Sequence, residues 1–261
     1  MGRFIWYELM TREPEAAKAF YRKVVGWEAE AFDPGDMGYC VLQANGRGIG
    51  GILPMPREPR EAGAGSAWLG YVAVEDVDAA AQRIVEAGGQ LHRDIVDIPT
   101  VGRIAMVSDP QGAPFYLIAP EGEDQPPPAA MSPGHVGWHE LHTSDWRSAF
   151  GFYAAQFGWE KAEAMEMGPM GTYQIFTMGG GDWAGGMFAP EGLARPFWLL
   201  YFVVGDIDEA AERVRSAGGE VLQGPREVPG GAWIIQCHDP EGVSFALAGW
   251  RDTRTGKGEE E

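Results

Sequence analysis

Two carboxylates occupy matching places in the chain, each two residues after a tryptophan: Glu8 after Trp6, and Glu140 after Trp138. The segment around the first, FIWYELM over residues 4–10, is a short aromatic and apolar run suited to a strand. Strand side chains alternate between faces, so Glu8 shares a face with Trp6, and Glu140 shares one with Trp138 and His142. A carboxylate in an aromatic-walled cavity is hard to ionise, so its pKa rises and it becomes fit to act as a general base or to bind a cation. Glu8 and Glu140 are therefore the candidate catalytic residues. The same glutamates also have a structural reading, as caps on neighbouring backbone or as residues of the sheet rim.

The remaining chemistry-bearing groups are less promising. His135, His139 and His142 have a spacing that resembles a metal cluster, but on a strand His139 faces away from His142, so the three cannot converge. His92 and His238 have no clustered partner. Cys40 and Cys237 lie far apart and read as free thiols of a reducing cytoplasm. The glycine runs GRGIGG (46–51) and GGGDWAGG (179–186) do not open helices, as a phosphate loop requires, and read as hairpin turns.

With 261 residues the chain is long enough for two domains, and 45% apolar residues provide for real cores. No run of 18 apolar residues occurs, so no membrane span is expected, and the N-terminus reads as a strand rather than a signal peptide. Twenty basic against 38 acidic side chains leave a formal charge of −18, which disfavours nucleic acid and anionic membranes.

The elements that must position these groups come in duplicate. FYRKVVGW from Phe20 matches FYAAQFGW from Phe152, and WYEL from Trp6 matches WHEL from Trp138, both at an offset of 132. VEDVDAAAQRIVEAGG from Val74 matches VGDIDEAAERVRSAGG from Val204, and DPQG from Asp109 matches DPEG from Asp239, both at 130. Four blocks in one order predict two copies of one fold. A first domain spans residues 1–120 and a second 135–250, joined by a proline-rich linker at 121–134, with a disordered tail at 251–261. In the first half a helix runs from about Glu13 to Gly26, followed by strands near 27–32, 39–44 and 48–53. The pattern then restarts with a strand at 68–74 and a helix capped by Asp76 or Asp78 and closed by Gly88 and Gly89. Strands near 90–94, 103–108 and 113–118 complete the half. Each half is thus two βαβββ units, and the fold class is α+β.

These paired blocks resemble the vicinal-oxygen-chelate superfamily of glyoxalases, bleomycin resistance proteins and dioxygenases, over about 240 residues. Together with WxEL and the stretch IPTVGRIAMVSDPQGA (98–113), they are similar to its double-domain subgroup labelled hydroxylase or glyoxalase-like. The resemblance implies four βαβββ modules forming two glyoxalase-like domains with curled mixed sheets, each a cup that takes a ligand. It also implies, in many members, a divalent metal held by His, Gln or Glu on the first strand of each unit and by Glu near the end of the last. Counted from the family's landmarks, those places hold Trp6, Trp138, Leu69, Leu199, Tyr116 and Ala246, none of which is a usual ligand. No metal site and no cofactor are therefore expected. A divalent ion stays open only through Glu8 or Glu140.

The expected ligand-binding residues are the strand aromatics Trp6, Trp68, Tyr71 and Tyr116 in the first cup, and Trp138, Trp198 and Tyr201 with His142 in the second. These aromatics have a second reading as core packing. Arg103 is placed at the first cup's mouth, ready for an anionic group, and has no basic counterpart in the second half. Three functions compete: a metal-free protein that binds a small organic molecule; a lyase, isomerase or dioxygenase that uses Glu8 or Glu140; and a protein-interaction module with vestigial cups. The expected partner is a small molecule, and the expected state is a cytoplasmic monomer or homodimer.

Overall fold

A computed structural model describes residues 1–32, 37–61, 63–122 and 126–251. The expected tail lies, from residue 252 on, outside the described residues. The first half runs β1 (Phe4–Thr11), α1 (Pro14–Val24), β2 (Glu28–Ala31), β3 (Cys40–Ala44), β4 (Arg47–Pro54), α2 (Arg57–Glu61), β5 (Ala67–Ala73), α3 (Val77–Glu86), β6 (Gln90–Leu91), β7 (Val96–Ile98), β8 (Gly102–Ser108) and β9 (Pro114–Pro120). The second runs β10 (Val136–His142), α4 (Trp146–Phe157), β11 (Glu160–Glu166), β12 (Thr172–Thr177), β13 (Trp183–Phe188), β14 (Phe197–Asp206), α5 (Ile207–Ser216), β15 (Glu220–Glu227), β16 (Trp233–His238) and β17 (Ser244–Trp250). The expected α+β architecture of four βαβββ modules is present. The short elements α2 and β7 were not anticipated.

The local causes are ordinary. In α1, Ala17, Phe20, Tyr21 and Val24 recur at helical spacing and are buried, and Pro14 opens the helix where its missing N–H costs nothing. Asp76 caps α3 by accepting from the backbone N–H of Ala79, and Asp206 caps α5 in the same way through Glu209. Asp145 caps α4, and Gly158, with φ at 71°, closes it.

Each half builds its own mixed, open sheet. The first has the order β2-β3-β4-β1-β5-β9-β8-β6, with β7 added on β8; the second has β11-β12-β13-β10-β14-β17-β16-β15. The two modules of a sheet meet edge to edge where β1 runs antiparallel to β5, and β10 to β14. No helix among the described residues is long and apolar enough to cross a membrane.

The two halves share one core. Helices pair across it, α1 with α5 and α3 with α4, and β5 packs directly on β14. The hydrogen bonds there are reciprocal. Trp27 Nε1 donates to the Gly134 carbonyl (2.7 Å), and Trp159 Nε1 to that of Gly2 (2.5 Å). Tyr21 donates to Asp239 Oδ2 and Tyr153 to Asp109 Oδ2, each at 3.2 Å. Both aspartates also accept the backbone N–H groups of their own turns, from Gln111 and Ala113 and from Glu241 and Val243. The repeated FY and DPxG blocks thus meet each other across the junction of the halves.

Part of the glycine reading is corrected here. Gly46 and Gly179 to Gly181 lie in turns, but Gly48, Gly50 and Gly51 belong to β4, and Gly185 and Gly186 to β13. A Cβ on Gly50 would stand 2.2 Å from the Tyr7 carbonyl, and one on Gly185 2.2 Å from that of His139. These strands approach β1 and β10 too closely for a side chain.

Candidate functional site

The face of each sheet turned away from the shared core carries the candidate cup. In the first half β1 presents Trp6, Glu8 and Met10, and β5 presents Leu69 and Tyr71. From the far module come Ile104 and Met106 of β8 and Tyr116 and Ile118 of β9. Glu8 is paired in register with Gly51 on one side and Leu69 on the other. The bare backbone of Gly51 lets the Tyr39 ring lie over the strand; a Cβ there would be 2.0 Å from its hydroxyl. Trp6 Nε1 holds that hydroxyl at 3.0 Å. Tyr71 stacks on Tyr116, with centroids 4.4 Å apart and planes 8° from parallel.

The second cup repeats the design. Gly186 is paired with Glu140 and accommodates Tyr173, whose hydroxyl accepts from Trp138 Nε1 (2.7 Å) and donates to Glu140 Oε2 (2.9 Å). Tyr201 donates to the same oxygen at 3.1 Å. Oε1 receives His142 Nε2 at 2.8 Å and Gln236 Nε2 at 3.3 Å. Four donors therefore surround Glu140.

The two carboxylates differ in what surrounds them. Met10 stands where His142 does, Met106 where Gln236 does, and Tyr116 replaces Ala246. Glu8 is 5% exposed, and its Oε1 has no hydrogen-bond partner. Burial pushes its carboxyl up to about 7. The nearby hydroxyls of Tyr71 and Tyr39 and the charge of Arg93 offset only part of that burial. A cavity of about 1190 Å³ opens over this cup. Trp6, Glu8, Tyr39, Tyr71, Tyr116 and Ile104 line its floor, and the linker residues Pro127 to Met131 and the 178–184 hairpin form part of its wall.

Three expected ligand-binding residues are corrected. Trp68 and Trp198 do not line the cups: they are buried on the opposite face. There Trp68 Nε1 donates to the Tyr21 hydroxyl (2.9 Å) and Trp198 Nε1 to that of Tyr153 (3.2 Å). Each lies three residues from its cup tyrosine, an odd step that alternation sends to the other side. Arg103 is not at a cup mouth either. It points to the helix side and is held by Asp78 of α3 (2.6 and 2.9 Å) and by Asp97 (2.7 Å). Arg251 with Asp208 makes the matching pair in the second half.

Trp6, Glu8, Tyr71 and Tyr116 come together in one cup, and Trp138, Glu140, His142 and Tyr201 in the other. His139 faces away from Glu140, as alternation required. It is buried between the halves, accepting from the Tyr7 hydroxyl (2.7 Å) and donating to the Ala184 carbonyl (2.8 Å). Tyr39, Tyr173, Gln236 and Arg93 were missed. The available signal for the two tyrosines was the matched glycines opposite each glutamate.

No group of three or more His, Cys, Asp or Glu side chains able to hold a metal ion occurs among the described residues. The first cup offers one carboxylate among tyrosines and methionines. The second offers one carboxylate and one imidazole, already bonded to each other. Neither matches the three-donor sets that divalent first-row ions take.

If Gly51 anchors the geometry, Gly51→Ala must expel Tyr39 and strand the Trp6 indole N–H. The expected loss is about 1–3 kcal/mol of stability, of the size seen when cores are overfilled. Gly151→Ala in α4, where nothing lies within 4 Å of the added methyl, should instead be neutral or mildly stabilising. Parallel denaturant titrations of both variants measure this, and equal effects would refute the packing argument.

Comparison with known proteins supplies the context. Residues 3–117 and 132–247 match the sequence model of the Glyoxalase/Bleomycin resistance protein/Dioxygenase superfamily. The chain is 32% identical over 244 residues, 93% of its length and 92% of the relative's, to CFP32 of Mycobacterium tuberculosis, a protein provisionally named a glyoxylase. It is 29% identical over 263 residues to the anthracycline biosynthesis protein DnrV of Streptomyces peucetius, covering 96% of this chain and 94% of that one. In fold it is similar to the Mn(II)-bound glyoxalase of Novosphingobium aromaticivorans, with a TM-score of 0.65 at 15% identity, covering 95% of this chain and 82% of that one. It is likewise similar to the 2,2',3-trihydroxybiphenyl 1,2-dioxygenase of Sphingomonas wittichii, with a TM-score of 0.66 at 14% identity, covering 94% and 89%.

Proposed function

The chain belongs to the glyoxalase/bleomycin resistance protein/dioxygenase superfamily, and on that premise we propose that it binds a small planar organic molecule in its first cup without a divalent metal ion. The observation that carries this reading is the contrast between the twin glutamates. Glu140 is saturated by its own protein, whereas Glu8, approached by the Tyr39 and Tyr71 hydroxyls, keeps Oε1 without a partner beneath a cavity of about 1190 Å³. An aromatic floor with a few convergent polar groups is a common design of small-molecule sites.

Trp6, Tyr71 and Tyr116 form the apolar floor of this proposed site and Glu8 its polar centre. Trp138, Glu140, His142 and Tyr201 form a closed network that shapes the second cup. The names of the anthracycline biosynthesis relatives favour a flat polycyclic ligand, since anthracyclines are planar aromatic systems that pack well on tyrosine and tryptophan. Two buried free thiols agree with a cytoplasmic location, and the protein acts as a monomer or homodimer.

A second reading rests on Glu8 itself. A carboxyl at about 7 with one oxygen free of donors has the properties of a general base, and would make the same cup the site of a proton-transferring enzyme.

Isothermal titration with an anthracycline aglycone tests the binding reading. Tyr71→Ala is expected to weaken binding by about tenfold, the worth of one lost aromatic contact, while Tyr201→Ala leaves it unchanged. Elemental analysis after loading with Mn(II) and Fe(II) should find far less than one ion per chain. A stoichiometric metal lost in Glu8→Gln would overturn the metal-free assignment.

A further inference from the structure

We propose that the ligand of the first cup is a neutral molecule bearing a hydroxyl group, which donates to Oε1 of Glu8 in the place that His142 and Gln236 fill on Glu140. This inference rests on reading the first cup as a binding site and names the chemistry of what enters it.

The duplication provides an internal reference. In both cups a tryptophan fixes a tyrosine hydroxyl beside the glutamate, and a second tyrosine approaches from the neighbouring antiparallel strand. In the second cup both tyrosines donate to Oε2, while the donors to Oε1 are His142 and Gln236. Their counterparts, Met10 and Met106, have no proton to give. Oε1 of Glu8 is therefore left bare, by substitutions at the two positions that would have served it.

A buried carboxylate oxygen without a donor is costly, and a donor brought in from outside removes that cost. Oε1 is sealed from solvent, so a ligand must part the side chains over it, and methionine at both vacated positions gives an apolar wall flexible enough to do so. Charge selects the donor further. Arg93 lies close enough to favour the ionised form of Glu8, and its positive charge opposes an ammonium ligand. Glu8 itself opposes an anion, and the other charged residues lining the cavity, Arg3 and Arg47 with Glu121 and Asp182, are balanced in sign. A neutral O–H group on an apolar body satisfies all of these constraints.

The experiment compares 2-naphthol with 2-methoxynaphthalene, which differ in the proton on one oxygen. Affinities for the full-length protein are measured at a pH above the Glu8 transition. Wild type should prefer the naphthol by about 10- to 100-fold, the worth of a hydrogen bond to a charged acceptor. Glu8→Met should abolish the preference, and Glu8→Gln, which keeps a carbonyl oxygen, should retain part of it. The double variant Met10→His/Met106→Gln, which installs the second cup's donors, should also abolish it while leaving a folded protein. Equal binding of the two probes to wild type, or a preference that survives in Glu8→Met, overturns the hydroxyl assignment but leaves the cup as a binding site. Failure of wild type to bind either probe overturns the binding reading as well.

Discussion

Glu8→Gln should gain up to about 3 kcal/mol of stability over wild type on going from about pH 4 to about pH 8, because each unit of pKa displacement is worth about 1.4 kcal/mol. The folded protein holds the Glu8 proton up to about 7, whereas the unfolded chain releases it near 4.5. Below 4.5 both states are protonated and the residue contributes nothing. Between 4.5 and 7 the unfolded chain gives up its proton first, so wild-type stability falls as pH rises. Above 7 the whole cost of the buried charge is present. Glutamine never ionises, so the variant escapes this loss.

His139 contributes with the opposite sign. Burial between the halves lowers its imidazole to about 4 from 6.5. Its neutral form is what accepts from Tyr7 and donates to Ala184. As pH falls from 6.5 to 4 the unfolded chain takes up a proton that the folded protein refuses, and stability is lost. From 4.5 to 6.5 the two contributions therefore cancel in wild type. Removing Glu8 uncovers the rise with pH that His139 imposes. Guanidinium titrations across this range measure both, and parallel curves for wild type and Glu8→Gln would show that Glu8 ionises normally in the fold.

The sequence was clearest about structure and weakest about the site, and the residues show why. The repeated blocks, FYxxxxGW and DPxG, are repeated because each copy holds the other: Tyr21 with Asp239 and Tyr153 with Asp109. They advertise the junction of the halves and say nothing of a ligand. Glu8 and Glu140 were legible because alternation fixes their face once Trp6 and Trp138 are placed. The same rule, applied to Trp68 against Tyr71 and Trp198 against Tyr201, would have removed both tryptophans from the cups. Arg103 fails by parity too, since Ile104 and Met106 take the cup face of β8. Tyr39 and Tyr173 were harder. They lie at an offset of 134, outside the 132 and 130 registers of the blocks, because the connections before them differ in length. The difference between the cups rests on two methionines, whose meaning depends on contacts across strands far apart in the chain.

The largest loss of stability should come from the shared core and not from either cup. Phe202 of β14 is fully buried, with its ring 4.7 Å from Trp27, 5.0 Å from Trp68 and 6.3 Å from Tyr21, all residues of the other half. Phe202→Ala is expected to cost about 3–5 kcal/mol, as large-to-small changes in tight cores do. Because the cavity opens between the halves, both should lose stability together, in one transition by calorimetry and by tryptophan fluorescence. Two separated transitions would show that the halves fold independently. A single one would also account for how the cups diverged. At the core each change in one half must be answered by the other, so the reciprocal Trp27 and Trp159 contacts persist. The floors of the cups lie on the sheet faces turned away from that core, and a substitution on a floor is felt chiefly within its own cup. The second could close around Glu140 with His142 and Gln236 while the first kept Met10 and Met106 and a bare carboxylate oxygen, whose cost arises at Glu8 and leaves the contacts of the shared core in place.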